Sequence, residues 1–97
     1  MEQSYVYILF NEINGTIYTG VTSNLAKRVW EHKNNIYPKS FTAKYNVHKL
    51  GYYEVHSNIK EAISREKQIK KGTRKNKLQL IEKMNPYWND LYNEIEN

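Results

Sequence analysis

Two runs of β-type residues flank a tight-turn signal near the start of the chain. The first run, Tyr5 to Phe10, is rich in aromatic and β-branched residues, and the second, Thr16 to Val21, follows Asn14-Gly15. An Asn-Gly pair between two such runs is a strong short-range signal for a β-hairpin. We therefore predict that the chain opens with a hairpin and that the remaining residues complete its sheet and cover its faces.

Length and composition point to one domain. With 97 residues the chain is long enough for one compact core and too short for two, so we expect a single domain over residues 1–97. The longest apolar run has six residues, against roughly 20 for a membrane-spanning helix, and we expect a cytoplasmic protein. The absence of cysteine excludes disulfides, thiolate catalysis and cysteine-ligated metal sites.

Apolar spacing and cap residues predict the other elements. A stripe at helical spacing predicts a first helix over about Asn24 to Asn35, and residues 49–55 (KLGYYEV) predict a third strand with a bulge at Gly51. A capping-box pattern predicts a second helix over about Ile59 to Lys71, and a third helix runs from about Thr73 to Lys83. Together these elements predict an α/β (α+β) fold, with a small three-stranded antiparallel sheet flanked by helices.

Two tyrosines fall on the same face of the predicted hairpin. Because side chains alternate along a strand, a loop of two or four residues points Tyr7 and Tyr18 to one side. A two-residue loop separates them by about 13 Å, whereas a four-residue loop sets Tyr18 opposite Leu9 and brings the pair to about 7 to 8 Å. The closer register lets them share a site; the alternative is that tyrosines simply suit strands.

Arg28 and His32 are stacked neighbours at the edge of the first helix's apolar stripe, because they are four residues apart. An arginine offers permanent charge and a planar donor fork that suits a phosphate, while a histidine exchanges a proton near neutral pH. The alternative interpretation is a solvated pair without a chemical role.

Glu66 is the most informative single residue. It falls within the predicted buried stripe of the second helix, which consists of Ile59, Ala62, Ile63 and Ile69. A buried carboxylate requires a cation, hydrogen bonds or a metal. An isolated carboxylate suits Mg²⁺ or Mn²⁺, completed by waters and a substrate phosphate. The alternative is a structural ion pair, with Lys70 as one candidate partner.

Positive charge is concentrated in one segment. The chain carries 15 Lys and Arg against ten Asp and Glu, a net charge of +5. Six cations crowd one eleven-residue stretch: Lys67, Lys70, Lys71, Arg74, Lys75 and Lys77. Such a patch attracts phosphate backbones through counterion release, although an anionic membrane surface and a plain solvated face are alternatives on charge alone.

The order of these residues resembles the GIY-YIG nuclease superfamily. Tyr5-Val6-Tyr7 is followed after ten residues by Tyr18-Thr19-Gly20, and then by Arg28, His32 and Glu66. The resemblance extends to the REKQIK and NPYWNDL segments and is closest to a small bacterial single-domain branch. It implies hydrolysis of phosphodiester bonds in nucleic acid, with DNA expected ahead of RNA, no membrane partner, and Mg²⁺ or Mn²⁺ as the cofactor.

The resemblance also gives each matching position a role. Glu66 matches the metal-binding glutamate, and Arg28 together with the metal would stabilise charge on the scissile phosphate. Tyr7 and Tyr18 match the motif tyrosines, one of which would position or deprotonate the attacking water, while His32 would help relay the proton. Which tyrosine is the base stays open, since a free phenol has a pKa near 10.

Three positions depart from the family pattern without removing a catalytic group. Tyr5 replaces the first glycine of the motif, Thr19 replaces its isoleucine, and Val21 stands where some relatives carry a lysine. Lys27, Lys44 or the basic segment are the candidates to anchor phosphate in place of that lysine.

Other interpretations remain beside the nuclease. Asn85 is a candidate for an asparagine that family members often place after the glutamate helix. A nucleic-acid-binding module that kept the fold without catalysis is the first alternative, and an interaction domain whose basic helix docks an acidic protein or a membrane is the second. No appended targeting domain is evident, so a protein partner is an alternative source of targeting.

Overall fold

The computed structural model describes residues 3–95, and its centre is a three-stranded antiparallel sheet. Strands β1 (Ser4–Phe10), β2 (Ile17–Thr22) and β3 (Lys49–His56) are arranged in the order β2-β1-β3, so that β2 and β3 form the edges. The described residues also form the helices α1 (Leu25–Lys33), α2 (Phe41–Lys44), α3 (Ile59–Lys71), α4 (Arg74–Met84) and α5 (Tyr92–Ile95). The predicted α+β fold is confirmed. Within residues 3–95, no helix is long and apolar enough to cross a membrane.

The central strand is buried on both faces, so a hydrophobic cluster forms on each side of the sheet. On one side, Val6, Ile8 and Phe10 pack with Ala62, Ile69, Ile81 and Trp88. On the other side, Tyr7 and Leu9 pack with Leu25, Val29, Val47, Leu50 and Leu91. This separation follows from the alternation of side chains along β1. Helices α1 and α3 therefore cover opposite faces of the sheet.

The hairpin adopts the register of the four-residue loop. Tyr18 pairs with Leu9, and Tyr7 pairs with Gly20. The turn is closed by a hydrogen bond of 2.8 Å from the Gly15 amide to the Glu12 carbonyl. The closer of the two predicted arrangements of the tyrosines is therefore the one the chain adopts.

The predicted bulge at Gly51 is confirmed. Along the β1–β3 pair, Ile8 faces Tyr52 whereas Leu9 faces Leu50, which leaves Gly51 as an extra residue in β3. A Cβ at this position would lie 2.9 Å from Cδ1 of Phe10, so a side chain would displace the core ring. The bulge thus needs a glycine because the backbone approaches Phe10 closely.

Helix α3 has the predicted bounds but buries a narrower stripe than predicted. Asn58 caps it by accepting a hydrogen bond of 2.9 Å from the Glu61 amide, as the capping-box pattern indicates. Ala62 and Ile69 are buried, whereas Ile59 and Ile63 are 42% and 38% exposed. The expected burial of these two isoleucines is wrong, because the buried face is centred on Ala62 and Ile69 and the two isoleucines lie to one side of it.

The segment 40–46, which its mixed sequence leaves unassigned, contains the short helix α2. Ser40 caps this helix by accepting a hydrogen bond of 3.2 Å from the Ala43 amide. Thr42, in its first turn, is buried. The segment therefore covers a polar group of the site described next.

Candidate active site

Tyr7 and Tyr18 lie side by side on one face of the hairpin. Tyr7 belongs to the buried strand β1 and Tyr18 to the edge strand β2, and their ring centroids are 6.3 Å apart. Across from Tyr7, a Cβ on Gly20 would lie 2.5 Å from the Tyr7 hydroxyl oxygen. The glycine after Tyr18-Thr19 therefore leaves room for the phenol of Tyr7 to extend over the edge strand.

His32 belongs to the same cluster and is buried beneath α2. Its ring centroid lies 6.0 Å from that of Tyr7 and 5.8 Å from that of Tyr18. Its Nε2 is 3.1 Å from the Tyr7 hydroxyl, and its Nδ1 is 2.9 Å from Oγ1 of Thr42. The interpretation of His32 as part of a solvated pair is wrong, because Thr42 and the tyrosines enclose the imidazole.

Burial, followed by the nearby charge of Arg28, lowers the pKa of His32 to about 4. The imidazole is therefore uncharged at neutral pH, with one ring nitrogen donating and the other accepting a hydrogen bond. In this form His32 links the Tyr7 hydroxyl to Thr42. Its Nε2 accepts a hydrogen bond from the Tyr7 hydroxyl when the proton of the neutral ring is on Nδ1.

The lowered pKa of His32 predicts a loss of stability in mild acid. Below its ordinary pKa of 6.5, the unfolded histidine binds a proton that the folded one excludes until about pH 4. The free energy of unfolding is expected to fall by on the order of 2–3 kcal/mol from pH 7 to pH 4 through this group. Urea unfolding at several pH values measures it, and His32→Gln is expected to flatten the decline. An equal decline in the variant would contradict the assignment.

Arg28 lies one turn before His32, at the exposed margin of the cluster. Its Nη1 donates a hydrogen bond of 3.1 Å to Oε1 of Glu31, and its guanidinium lies 5.3 Å from the ring centroid of Tyr37. Burial raises the pKa of Tyr7 to about 12, Arg28 opposes that rise, and Tyr18 and Glu66 add to it. The charges of Arg28 and Glu66 thus act on the same phenol.

Glu66 approaches this cluster from α3, on the opposite side of the sheet. Its side chain is only 14% exposed, and its Oε2 lies 3.2 Å from Nζ of Lys70. The Lys70 ammonium also lies 6.0 Å from the ring centroid of Tyr18. The carboxylate is therefore as buried as the helical projection predicts, and Lys70 is its partner. Through Lys70, Glu66 is thus connected to Tyr18 on the β2 edge, while Arg28 and His32 reach the tyrosines from α1.

Glu66 is the candidate ligand for a divalent cation in this cluster. Within residues 3–95, no group of three or more His, Asp or Glu side chains converges on one point. Mg²⁺ is commonly held by one or two carboxylates, with waters and substrate phosphates completing its shell. The largely buried carboxylate of Glu66 can supply such a ligand once Lys70 moves aside.

The sequence matches the family model described as the GIY-YIG catalytic domain over residues 3–79. The chain belongs to the GIY-YIG family. This is a family of nucleases, and the matched range contains Tyr7, Tyr18, Arg28, His32 and Glu66. The GIY-YIG resemblance read from the motif order is thereby confirmed.

Bacterial proteins of similar length are similar in sequence to this chain over most of its length. A UPF0213 protein of Syntrophus aciditrophicus is 42% identical over 86 residues, covering 89% of this chain and 97% of the relative. A UPF0213 protein of Clostridium perfringens is 47% identical over 78 residues, covering 80% and 82%. A third, of Staphylococcus saprophyticus, is 35% identical over 81 residues, covering 84% and 96%. No solved structure matches this chain.

The structure does not bring Asn85 to the GIY-YIG cluster. Its amide nitrogen donates to the carbonyls of Gly51, at 3.3 Å, and Asn89, at 2.7 Å, and its side-chain oxygen accepts from the Asn89 amide at 2.9 Å. Gly51 belongs to β3, the edge opposite β2. The buried side chain thus holds the turn after α4 in place, so Asn85 has a structural role in the NPYWNDL segment.

The predicted nucleic-acid-binding cations differ in their surroundings. Arg74 donates to the carbonyls of Asn14 and Gly15 and so ties α4 to the hairpin loop. Lys70 and Lys77 line a shallow pocket beside Tyr18. The others are exposed: Lys27, Lys44, Lys67, Lys71 and Lys75. Lys70 and Lys77 are thus the candidates that share a pocket with Tyr18.

Sequence reasoning missed three side chains that complete this site. Thr42 holds His32, Glu31 holds Arg28, and Phe41 lies 6.3 Å from Tyr18 between ring centroids. Thr42 and Phe41 belong to the unassigned segment, whose role arises only when α2 folds over α1. Glu31 had a local signal, because it follows Arg28 by three residues on the same helix.

Proposed function

We propose that this protein is a metal-dependent endonuclease that hydrolyses phosphodiester bonds in nucleic acid, with DNA ahead of RNA. The observation that carries the proposal is the meeting of a buried carboxylate, Glu66, with Arg28, His32 and two tyrosines across the β2 edge. Separate elements supply these groups, so sequence neighbours alone do not account for the cluster.

The residues divide the work as follows. Glu66 would hold the divalent ion, which when bound supplies Lewis-acid stabilisation of charge on the phosphate. Arg28, at the exposed margin, presents its guanidinium to the scissile phosphate. Tyr7, with Nε2 of His32 next to its hydroxyl, would position or deprotonate the attacking water once the charges of the metal and Arg28 lower its pKa. Tyr18, on the edge strand, orients the substrate.

Tyr7 is proposed as the base because its hydroxyl lies 3.1 Å from Nε2 of His32 and because Arg28 acts on it to lower its pKa. Tyr7→Phe is expected to lower the cleavage rate on the order of 10²- to 10⁴-fold, the usual contribution of general acid-base catalysis. Tyr18→Phe, the matched control on the same hairpin, should lower it less. Cleavage rates of the two variants, measured below the unfolding temperature of each, test which tyrosine is the base. A larger loss in Tyr18→Phe would make Tyr18 the base.

An exposed surface next to the site supports nucleic acid as the substrate. The rings of Tyr18, Phe41 and Tyr45 form a series, with the last two centroids 4.9 Å apart. Lys44 lies 5.3 Å from the Tyr45 ring centroid, and Lys70 borders Tyr18. Aromatic rings interleaved with cations stack on unpaired bases while the charges contact phosphates.

The decisive experiment is a cleavage assay with labelled single-stranded, double-stranded and branched DNA and RNA. Each substrate is incubated with the purified protein and Mg²⁺, Mn²⁺ or EDTA. The expected result is cleavage by the wild-type protein that requires Mg²⁺ or Mn²⁺. The substrate that is cut fastest identifies the substrate class. Absence of cleavage under every condition would overturn the nuclease.

The second candidate is a nucleic-acid-binding module without catalysis, and the Glu66–Lys70 ion pair favours it. This pair neutralises the carboxylate without any metal. Metal-independent binding of nucleic acid without cleavage, measured in the same assay, would select this candidate.

A further inference from the structure

Lys70 lies between two residues of the candidate active site. Its Nζ is 3.2 Å from Oε2 of Glu66 and 6.0 Å from the ring centroid of Tyr18. The lysine side chain is 50% exposed, while the glutamate side chain is only 14% exposed. A half-exposed ammonium thus pairs with a carboxylate that is largely withdrawn from solvent.

The ammonium and a divalent cation compete for the same carboxylate. A metal bound to Glu66 would place two positive charges within a few ångströms of each other, where Coulomb repulsion is strong in a partly buried site. The metal must therefore displace Lys70 from Glu66. The ion pair holds the metal-free protein in a form with reduced affinity for the metal.

Once displaced from Glu66, Lys70 has a second position in which its ammonium can bind an anion. It lines a shallow pocket with Lys77, Tyr18 and Phe41, on the surface next to the cluster. A lysine has a flexible four-carbon stem and three donors, so it can rotate from a carboxylate to a phosphate oxygen without a change in the helix. A phosphate in that pocket would attract Lys70 and leave Glu66 free.

We propose that Lys70 is a positioning residue that makes metal and nucleic acid bind cooperatively. In the free protein its ammonium pairs with Glu66, and in the complex it contacts a substrate phosphate while the metal takes its place. Because binding linkage is reciprocal, nucleic acid raises the affinity for the metal and the metal raises the affinity for nucleic acid. The inference rests on the proposed role of Glu66 as the metal ligand.

The first test measures Mn²⁺ affinity in the absence of nucleic acid, from the electron paramagnetic resonance signal of free Mn²⁺. Lys70→Gln is expected to bind Mn²⁺ about two- to fivefold more tightly than the wild type, the range of a partly exposed ion pair. Lys60→Gln removes the same charge from an exposed position of α3 and should change the affinity less. Glu66→Gln should remove the site.

The second test measures the coupling itself. The affinity for a fluorescent, nuclease-resistant phosphorothioate oligonucleotide is determined by anisotropy with and without Mn²⁺. The gain that Mn²⁺ gives the wild type should exceed the gain in Lys70→Gln about two- to fivefold. Glu66→Gln reports the gain that arises from Mn²⁺ bound to the oligonucleotide alone.

The outcomes separate this inference from the proposed function. Equal Mn²⁺ affinities in Lys70→Gln and Lys60→Gln, or equal coupling in Lys70→Gln and the wild type, would overturn the role of Lys70. If cleavage still required Mn²⁺ and Glu66, the nuclease would stand without it. Mn²⁺ affinity that is unchanged by Glu66→Gln would overturn both the role of Lys70 and the metal site.

Discussion

Glu66→Gln is expected to reduce cleavage by at least about 10³-fold, because Lewis-acid stabilisation by a bound metal contributes several kcal/mol to the transition state. Glutamine keeps the shape of the side chain and removes the charge that holds a cation. The rate is measured under single-turnover conditions over a range of Mn²⁺ concentrations. Raising the metal concentration should not restore the rate if the ligand itself has been lost.

The Glu66→Gln variant is expected to stay folded. The side chain pairs with Lys70, which is 50% exposed, and pairs of this kind contribute only about 0.2–1 kcal/mol. The matched control is Glu61→Gln, which removes a carboxylate from an exposed position on the same helix. Full cleavage activity in folded Glu66→Gln would exclude Glu66 as the metal ligand, whereas equal losses in both variants would indicate an effect of net charge.

The hairpin and its register show what local pattern can predict. The alternation of side chains along the strands places Tyr7 and Tyr18 on the same face. The distance between them depends on the loop length, and the Asn14-Gly15 signal is compatible with both loop lengths. The chain adopts the four-residue loop, closed by the Gly15 amide and the Glu12 carbonyl. The Asn14-Gly15 pair identifies the turn, whereas the distance between the tyrosines depends on which residues close the turn.

Helical periodicity predicted the burial of Glu66 better than the burial of Ile59 and Ile63. The projection assumes a broad buried face, and it places Ile63 on the same stripe as Glu66. In the structure Ile63 is 38% exposed, because the buried face of α3 is narrower than predicted and is centred on Ala62 and Ile69. Glu66 lies nearer to that face, and its side chain is 14% exposed. Periodicity predicts the direction of a side chain, whereas the packing of the helix determines how much of it is covered.

The environment of His32 depends on contacts that no local pattern contains. Its place on the flank of α1 is predicted, but its burial depends on Thr42, ten residues further along the chain. The segment that brings Thr42 has no clear periodicity, so neither α2 nor its contact with α1 follows from sequence spacing. The same reason explains why Phe41 was missed as a neighbour of Tyr18.

Arg28 connects the electrostatics of the cluster to its chemistry. Its charge opposes the rise in the pKa of Tyr7 and, after burial, is the largest contribution to the low pKa of His32. Its contacts with Glu31 and Tyr37 are partly exposed, with 31% of the Arg28 side chain open to solvent, and pairs of this kind add little to stability. Removing the guanidinium should therefore change catalysis and titration far more than folding.

Arg28→Ala is expected to lower the cleavage rate by roughly 10²- to 10³-fold, the effect of losing one preorganised donor to a charged transition state. Arg28→Lys should recover part of this loss, because a point charge replaces the planar fork. In the same Arg28→Ala protein, the pKa of His32 should rise from about 4, as followed by imidazole proton resonances. Lys83→Ala, which removes a cation from an exposed position of α4, is the control for net charge. A lower rate with an unchanged His32 titration would separate Arg28 from the tyrosine-histidine pair, and an unchanged rate would exclude it from phosphate stabilisation.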